Sequence, residues 1–438
     1  MIRRLFSMTL YKRFFTAVRE EGLGSALTKA RIYTGIVLRN RGRSSLFGSR
    51  HAHVSRDHLY LNNIWSDLAK ANGFHVSAAP ALLSKRRKIA LIADLNLPQC
   101  RKYRVEQLAA FWGARDVEVV YSHYADVPRS VMAMQDATHL IEYRLQALPV
   151  MSMYRYEARR LRLPVLYDID DPLFSIAAYE TYGNMAVLEP KLKTHFLSEA
   201  PKYLDMMNGA DLISVSTPGM VAHTKYLTPR PVYLRRNFAD ASTLAEGARQ
   251  ISARPAPDGV FRLAVASGSR GHEVDFAGII DPVAAFLEAA PNRRLMVLGH
   301  FDATRLPKAI SSRIEAHPFT TYGDYLGHLA QANCAVMPLA DDLFNRCKSA
   351  VRVIDAAAVG VPSITGTVGD LAQMIQPGQT GFVAEQPADW TDALEHLARD
   401  PAAAAEMGRR ARADLELNWS GSDAGHIISP ELLQWVKA

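Results

Sequence analysis

The chain has 438 residues, 48% of them hydrophobic and 22% charged, a composition typical of a globular protein long enough for two or three domains. The formal net charge is +7, yet residues 1–50 alone hold eleven Lys or Arg against two Glu, a net charge of +9. The remaining residues therefore sum to −2, which argues against a generally basic nucleic-acid binder. Cys100, Cys334 and Cys347 are scattered and odd in number, so neither a disulfide framework nor a zinc site is predicted.

Residues 1–85 form a basic extension ahead of the first clear α/β pattern. Four apolar residues recur at four-residue steps among basic side chains: Phe6, Leu10, Phe14 and Val18. This pattern indicates an amphipathic helix within residues 1–45, which either lies on an anionic membrane surface or docks on the body of the protein with its charges solvated. Because no apolar run reaches the roughly 20 residues of a membrane span, we expect a cytoplasmic protein, free or peripheral on the inner face of the membrane.

Residues 86–240 predict a doubly wound α/β domain. Several short runs rich in Val, Ile and Leu lack polar alternation, as do parallel strands that are buried on both faces. We predict strands at 88–93, 117–121, 139–143, 165–168 and 212–216, with one more in the run that ends at Asn237. The first helix is predicted at 105–112, after a polar loop over 94–104.

Residues 255–400 repeat the pattern of strands and helices, after a segment at 239–258 whose Ala, Ser, Pro and Asp content indicates a linker. Strands are predicted at 261–266, 295–298, 334–339 and 363–364. Residues 401–438 predict further helices, with the last segment crossing back to the first domain. Two such α/β halves imply a cleft at the carboxyl ends of both sheets, where open α/β sheets bind their ligands.

Residues 341–370 predict a strand-to-helix loop suited to a phosphate. Small apolar residues at spacings of three and four indicate a helix that begins with Ser349 as its cap and ends at Gly360. Lys348 precedes the helix, where free N–H groups and the helix dipole favour an anion. Asp355 lies about two turns in, and its side chain leans toward the same end. These residues predict a nucleotide-sugar site, or else an ordinary strand-loop-helix unit with a solvated Lys348.

A second loop, after the strand at 261–266, supplies further candidates for the phosphates. Gly268 and Gly271 would let the backbone approach a phosphate closely, and Arg270 provides a planar cation that suits phosphate oxygens. His272 is either a contact to the phosphate or sugar or simply a helix cap. The loop therefore predicts the opposite wall of the same phosphate site.

Residues 344–362 carry a recognisable motif: Phe344-Asn345-x-x-Lys348-Ser349, an acidic residue at 355, and Gly360-Val361-Pro362. It resembles the donor-site signature of one branch of the glycosyltransferase group 1 family, retaining enzymes of the GT-B fold. That branch also has a Gly-Ser-x-x-His loop followed by Asp, matched here by Gly268, Ser269, His272 and Asp275. The commoner family pattern, Glu-x7-Glu, has a carboxylate at the position of Cys347.

The resemblance covers about residues 88–420 and implies an α/β, GT-B protein: two Rossmann-like doubly wound domains that face a cleft. The helical basic N-terminal extension predicted above lies outside the resemblance. The resemblance also implies that Asn345 and Ser349 bind the donor, that Asp355 holds the nucleotide ribose, and that the base sits near residues 317–322. Tyr103-Arg104 resembles a Tyr-Arg segment of the same branch. Arg101, Tyr103 and Arg104 would meet the acceptor or the donor phosphates, or else belong to a solvated loop.

Asp168, Asp170 and Asp171 form an acidic cluster at the end of a predicted strand. One interpretation is the Asp-x-Asp metal site of the other major glycosyltransferase fold, since carboxylates hold divalent cations. The other interpretation, favoured by the two successive α/β halves, places them at the edge of the cleft without a metal. A capping or turn role is the third alternative.

These features predict a glycosyltransferase that needs neither metal nor cofactor and moves a sugar from a nucleoside diphosphate sugar to a saccharide or lipid-linked saccharide hydroxyl. Arg270, Lys348 and the helix N-terminus would stabilise charge on the leaving diphosphate, and the three aspartates are the nearest candidates for a general base. Retention of configuration is implied by the resemblance alone. The alternatives are a noncatalytic nucleotide-sugar or glycan-binding module, favoured by Cys347, and a membrane-surface scaffold, suggested by the basic extension.

Overall fold

The computed structural model describes residues 86–268, 271–421 and 425–437, and scattered positions between 11 and 31 that are all helical. The chain divides into two units, Met1–Asn63 and Ile64–Ala438. In the first unit the described positions agree with a helical extension, and Tyr11, Phe15 and Leu27 are exposed there. Phe6, Leu10 and most of the predicted membrane-binding helix lie outside the described residues.

The first sheet of the second unit has six parallel strands in the order β2-β1-β3-β4-β5-β6. Their bounds are β1 Lys88–Ala93, β2 Glu118–His123, β3 His139–Tyr143, β4 Val165–Ile169, β5 Leu212–Val215 and β6 Val232–Leu234. β1, β3, β4 and β5 are almost wholly buried, which explains why their sequences show no polar alternation.

Helices cover this sheet, and the first of them is irregular. α1 runs through Pro98–Cys100, Arg101–Glu106 and Gln107–Gly113; its middle segment is a π-helix, in which the Gln107 N–H donates to the Lys102 carbonyl. It begins at Pro98, inside the predicted polar loop, because proline is well tolerated in the first helical turn. The others are α2 Val127–Gln135, α3 Pro149–Arg160, α4 Ile176–Thr181, α5 Pro190–Asn208 and α6 Pro218–Lys225.

The second sheet also has six parallel strands, in the order β12-β11-β10-β7-β8-β9. Their bounds are β7 Phe261–Ser267, β8 Arg293–Gly299, β9 Ile314–His317, β10 Cys334–Met337, β11 Ser363–Thr365 and β12 Gly381–Val383. Its helices are α7 Ala241–Ser252, α8 Glu273–Ala277, α9 Ile280–Glu288, α10 Tyr322–Leu329, α11 Val351–Ala358, α12 Pro387–Arg399 and α13 Pro401–Asn418. Apolar clusters on both faces of the sheet form the core of this half.

The predicted linker contains a helix. α7 begins after Asp240, whose carboxylate accepts the Thr243 N–H at 2.8 Å, an N-cap that ends the extended chain after β6. It contacts α10 and α11, so it belongs to the second half. We call residues 86–240 the N-terminal lobe and residues 241–421 the C-terminal lobe.

The last described residues return to the N-terminal lobe. Ile428 bridges to Arg235 beside β6, and the Arg236 N–H donates to the Ile427 carbonyl at 2.7 Å. α14, Pro430–Lys437, buries Leu432 and Val436 in the core cluster of the first sheet. None of the helices among the described residues combines the length and apolar character needed to cross a membrane.

Candidate functional site

A cavity of about 690 Å³ lies between the two lobes. The N-terminal lobe supplies its wall from α1, including Arg101, Lys102 and Tyr103. The C-terminal lobe supplies the ends of β7 and β8, the segment after β9, and one face of α10 and α11. These positions are at the carboxyl ends of parallel strands, where α/β folds bind their ligands.

Asp355, on α11, lies in the wall of this cavity and is 4% exposed. Its Oδ1 accepts hydrogen bonds from the Tyr103 and Tyr322 hydroxyls, the latter at 2.9 Å. Burial raises the pKa of Asp355 to about 6, although the tyrosine hydroxyls act in the opposite direction. Asp355 is thus a carboxyl group that accepts hydrogen bonds from hydroxyls, the same kind of donor that a ribose would offer.

Arg352 is a cavity residue that the sequence interpretation missed. It lies three residues before Asp355, on the same side of α11, and lines the same cavity. Within the described part of the chain its guanidinium has neither a hydrogen bond nor an ion pair, and burial lowers the pKa of Arg352. A half-buried guanidinium without a direct partner among the described residues favours an anionic ligand, and its planar fork suits phosphate oxygens.

The far wall of the cavity consists of glycine and aromatic residues. Gly299 has a φ of +92°, and a Cβ there would lie 2.3 Å from the Ser267 carbonyl oxygen, so the β8 end is restricted to glycine. Phe319 stacks on His300 with ring centroids 4.8 Å apart. His317 and Phe319 both line the cavity, in the segment that the resemblance implied for the base. Gly268 lines it as well, at the end of β7.

Lys348 connects the two lobes next to this cavity and is not part of its wall. Its Nζ donates to Asp171 Oδ1 at 3.2 Å and lies 4.8 Å from the centre of the Phe344 ring. Burial favours the neutral amine, but the Asp171 carboxylate outweighs it and raises the pKa of Lys348. Lys348 therefore stays protonated, with a carboxylate of the opposite lobe as its partner.

The acidic cluster divides into two environments. Asp168 is 1% exposed and accepts from Arg104, Arg235 and Ser214, so it has no free oxygen to offer a substrate. Burial opposes its charge, yet the two guanidinium groups hold the pKa of Asp168 below its usual value. The prediction that Asp168 faces the acceptor is therefore replaced by a structural role in the core.

Asp170 and Asp171 are partly exposed and paired with cations. Arg144 Nη1 lies 3.3 Å from Asp170 and 3.8 Å from Asp171, and Lys348 is the second partner of Asp171. Burial raises the pKa of Asp171, but Lys348 and Arg144 lower it more, so the pKa lies below its usual value. Within the described ranges, no three His, Cys, Asp or Glu side chains come together in a way that could bind a metal ion.

The predicted acceptor residues have different surroundings. Arg104 is fully buried and pairs with Asp168, while its Nη1 donates to Arg235 O at 2.7 Å and to Asn237 Oδ1 at 3.1 Å. Tyr103 reaches Asp355 on the other lobe. Arg101 lines the cavity and pairs with Glu106 at 2.6 Å. Of the three, Arg101 alone keeps an exposed side chain; burial removes Arg104 from the acceptor side.

His272 and Asn345 bind a buried carboxylate. His272 Nδ1 lies 2.9 Å from Asp275, which also accepts from Asn345 Nδ2 at 2.8 Å and from Asn184 of the N-terminal lobe at 2.9 Å. Burial lowers the pKa of His272. Asn345 is 0% exposed, and its amide donates to Asp275 and to the Ala340 carbonyl. Asn345 therefore holds neighbouring protein groups in place, where the sequence predicted a contact to the donor.

Ser349 does not cap α11, which begins at Val351 after Ala350. Its hydroxyl accepts from Asn237 Nδ2 at 3.1 Å instead, and so ties the start of α11 to the segment that joins the lobes. Ser269 and Arg270 lie outside the described residues, so their predicted contacts to the phosphates stay predictions.

The two sheets, their strand orders and the cavity between them define the class of fold as GT-B, as predicted. The structure resembles sucrose-phosphate synthase from Thermosynechococcus elongatus, with a TM-score of 0.53, 16% identity, and coverage of 80% of this chain and 98% of that one. It also resembles a glycosyltransferase from Rickettsia africae, with a TM-score of 0.52, 9% identity, and coverage of 81% and 98%. A third similar structure is Alr3699/HepE of Anabaena, solved with UDP-glucose. Its TM-score is 0.50 and its identity 12%, with coverage of 80% of this chain and 98% of that one.

Residues 264–400 match the family described as Glycosyl transferases group 1, which supports the resemblance over the C-terminal lobe. A D-inositol 3-phosphate glycosyltransferase of an Arthrobacter species is 34% identical over 97 residues, 22% of each chain. A GDP-mannose-dependent phosphatidylinositol monomannoside mannosyltransferase of Corynebacterium glutamicum is 28% identical over 159 residues, 34% of this chain and 42% of the relative. The matches thus span less than half the length of these curated relatives.

Proposed function

We propose that the protein is a retaining, metal-independent glycosyltransferase that moves a sugar from a nucleoside diphosphate sugar to a hydroxyl of a saccharide or lipid-linked saccharide. The observation that carries the proposal is the pair Arg352 and Asp355 on α11, which lie together in the wall of one interlobe cavity. Arg352 is a half-buried cation with no hydrogen bond or ion pair among the described residues, and Asp355 is a carboxyl group that binds hydroxyls. A diphosphate and a ribose present complementary groups in the same ligand. The match of residues 264–400 to the group 1 family supports the same activity.

Two relatives support a nucleotide sugar as donor. HepE was solved with UDP-glucose, and the mannosyltransferase of C. glutamicum is described as GDP-mannose-dependent. In this chain the glycines at the ends of β7 and β8 would let the donor approach the backbone, and the segment around His317 and Phe319 would hold the base.

The chemistry would be electrostatic. Cleavage of the glycosidic bond to the diphosphate transfers negative charge to the leaving phosphate, and a fixed cation in a dry site stabilises that charge. Arg352 would contact the diphosphate, with Arg270 as the predicted partner from the facing loop. Lys348 would join them once a phosphate competes with Asp171 for its ammonium. Asp170 pairs with Arg144 and Asp171 with Lys348. These two aspartates are the carboxylates that we propose as candidates for a general base in the cleft.

The test uses the full-length chain with UDP-, GDP-, ADP- and dTDP-sugars and a set of saccharide and lipid-linked saccharide acceptors, with and without EDTA. We expect one donor to raise the Tm and to release its nucleoside diphosphate at the same rate in EDTA; NMR of the product would report its anomeric configuration. Loss of turnover in EDTA contradicts metal independence, and inversion contradicts the retaining assignment. The absence of both binding and release with every donor would refute the proposal.

A noncatalytic nucleotide-sugar or glycan-binding module is the second candidate, and Cys347 is the observation that favours it. Cys347 is 1% exposed and its carbonyl accepts from Thr217 Oγ1 at 3.0 Å, so this position offers no carboxylate to a sugar. Thermal stabilisation without release of the diphosphate, across a wide set of acceptors, would favour this candidate.

The basic extension would hold the protein at an anionic membrane surface on the cytoplasmic side, close to a lipid-linked acceptor. Sedimentation with vesicles containing phosphatidylglycerol tests this proposal. We expect the full chain to bind and a variant lacking residues 1–45 to lose binding, more so at low salt. Equal partitioning of the two proteins would contradict it.

A further inference from the structure

The hydrogen bond between Tyr103 and Asp355 joins the two lobes at the point where the proposed function puts the ribose. Tyr103 belongs to α1 of the N-terminal lobe and Asp355 to α11 of the C-terminal lobe. Both side chains are 4% exposed and both line the cavity. The contact therefore uses an oxygen of the carboxyl group that a nucleotide would need.

One oxygen of the carboxyl group has no capacity left for a ligand. Oδ1 accepts two hydroxyls, from Tyr103 and Tyr322. An ionised carboxyl accepts about four hydrogen bonds, two at each oxygen. The two tyrosines therefore fill Oδ1, and a ribose hydroxyl can bind this oxygen only after one tyrosine leaves.

Tyr103 is the tyrosine that can leave. Tyr322 and Tyr325 lie on α10 and pack against the core of the same lobe as Asp355. Tyr103 is held from the opposite lobe, within the π-helical segment Arg101–Glu106. A π-helical turn is a rare, one-residue insertion in an α-helix and is frequent at functional sites. Its neighbour Lys102 also docks on the C-terminal lobe, donating to Ser242 Oγ at 3.1 Å.

We infer that Tyr103 is a displaceable latch: in the ligand-free protein it occupies Asp355, and ribose hydroxyls of the donor nucleotide replace it. This inference rests on the proposed function and adds regulation of the same site to it. The latch lowers the apparent affinity for the nucleotide, since part of the binding energy is spent on displacing Tyr103. It also couples donor binding to a rearrangement of α1, whose Arg101 faces the cavity from the acceptor side.

The test compares wild type with Tyr103→Phe by calorimetry, using UDP, GDP and ADP and their 2′,3′-dideoxy forms. Removal of one hydrogen bond to a charged group should tighten binding of the ribonucleotide about tenfold, or about 1.4 kcal/mol, and leave the dideoxy nucleotide unchanged. Tyr121→Phe is the matched control, since its hydroxyl lies 3.5 Å from Arg101 and does not contact Asp355. Its affinities should equal those of wild type.

Hydrogen exchange gives a second readout that needs no variant. Amides of residues 101–106 should exchange faster when the ribonucleotide is bound to the wild-type protein. Unchanged ribonucleotide affinity in Tyr103→Phe, an equal gain with the dideoxy form, or slower exchange on binding would each overturn the latch while leaving the proposed function intact. If none of the three nucleotides binds wild type, the proposed function fails and the latch fails with it.

Discussion

Arg352 is the residue whose environment most directly calls for an anion. Arg352→Ala should weaken binding of the nucleoside diphosphate by about 10- to 100-fold, since hydrogen bonds to charged groups contribute about 1.5–3 kcal/mol. The Tm should stay the same or rise, because the substitution removes a half-buried charge that has no hydrogen bond or ion pair among the described residues. Calorimetry and thermal unfolding measure the two effects.

Arg346→Ala is the matched control, because Arg346 lies just before α11 and pairs with Asp341 at an exposed position, with 61% of its side chain accessible. We expect it to leave the affinity unchanged. Equal losses in the two variants would mean that general positive charge, rather than the Arg352 guanidinium, attracts the ligand.

Asp355 should make stability depend on pH in the direction opposite to most carboxylates. Its pKa is raised from 3.8 to about 6, so the folded protein binds a proton that the unfolded chain has lost, and stability falls as the pH rises between these values. The full effect corresponds to about 3 kcal/mol above pH 6. Asp355→Asn should therefore raise the Tm at pH 7.5 and change it little at pH 4, while abolishing nucleotide binding. A lower Tm at pH 7.5 would contradict this assignment.

At the residue scale, the sequence predicted which side chains are functional candidates more reliably than it predicted what those side chains contact. Asp355 and Gly268 were predicted and line the cavity, and the i, i+3 spacing from Asp355 could have pointed to Arg352. Asp168 and Arg104 were predicted as site residues, yet they pair with each other in the core. Their residue types suit both roles, and only the three-dimensional neighbours decide between them.

At the scale of elements, α6 shows how closely the two lobes approach. Gly219, near its start, has no room for a side chain: a Cβ would lie 2.2 Å from the Arg346 carbonyl oxygen of the C-terminal lobe. Gly219→Ala should lower stability by about 1–3 kcal/mol, the usual cost of overpacking. Thermal unfolding of the purified protein measures the loss.

Gly113→Ala is the control for this prediction, since no atom lies within 4 Å of a Cβ at the last residue of α1. Replacing a helical glycine by alanine there should be neutral or add about 0.5–1 kcal/mol. If Gly219→Ala proved as stable as Gly113→Ala, the lobes would have to be further apart in solution.

The strands were the most predictable elements and the helix starts the least. Burial on both faces produces continuous apolar runs, so the buried strands β1, β3 and β4 were found almost to the residue. The π-helical segment of α1 and the helix α7 were missed. Polar and small residues such as those of α7 resemble a linker when their capping residue, Asp240, and their packing partners are unknown.

At the scale of the whole molecule, one buried polar network sets how the lobes meet. Asp168 on β4 holds Arg104 of α1, Arg104 bonds Asn237 at the lobe junction, and Asn237 bonds Ser349 before α11. A second pair, Arg236 with Asp370 at 2.7 Å, crosses the same junction. These partners are up to 134 residues apart in the chain. No local pattern in the sequence links them, which explains why the network could not be predicted.

Asp168 should behave as a structural rather than a catalytic carboxylate. Asp168→Asn leaves Arg104 and Arg235 buried without a full counter-charge, so it should cost about 3–5 kcal/mol at neutral pH. Because the pKa of Asp168 lies below its usual value, this contribution exists at neutral pH and is lost as the pH falls through the lowered value. The Tm gap from wild type should therefore shrink in acid. Asp136→Asn, which breaks an exposed pair with Lys88, should change stability by at most about 1 kcal/mol. An Asp168→Asn protein with normal Tm and no turnover would restore the catalytic interpretation.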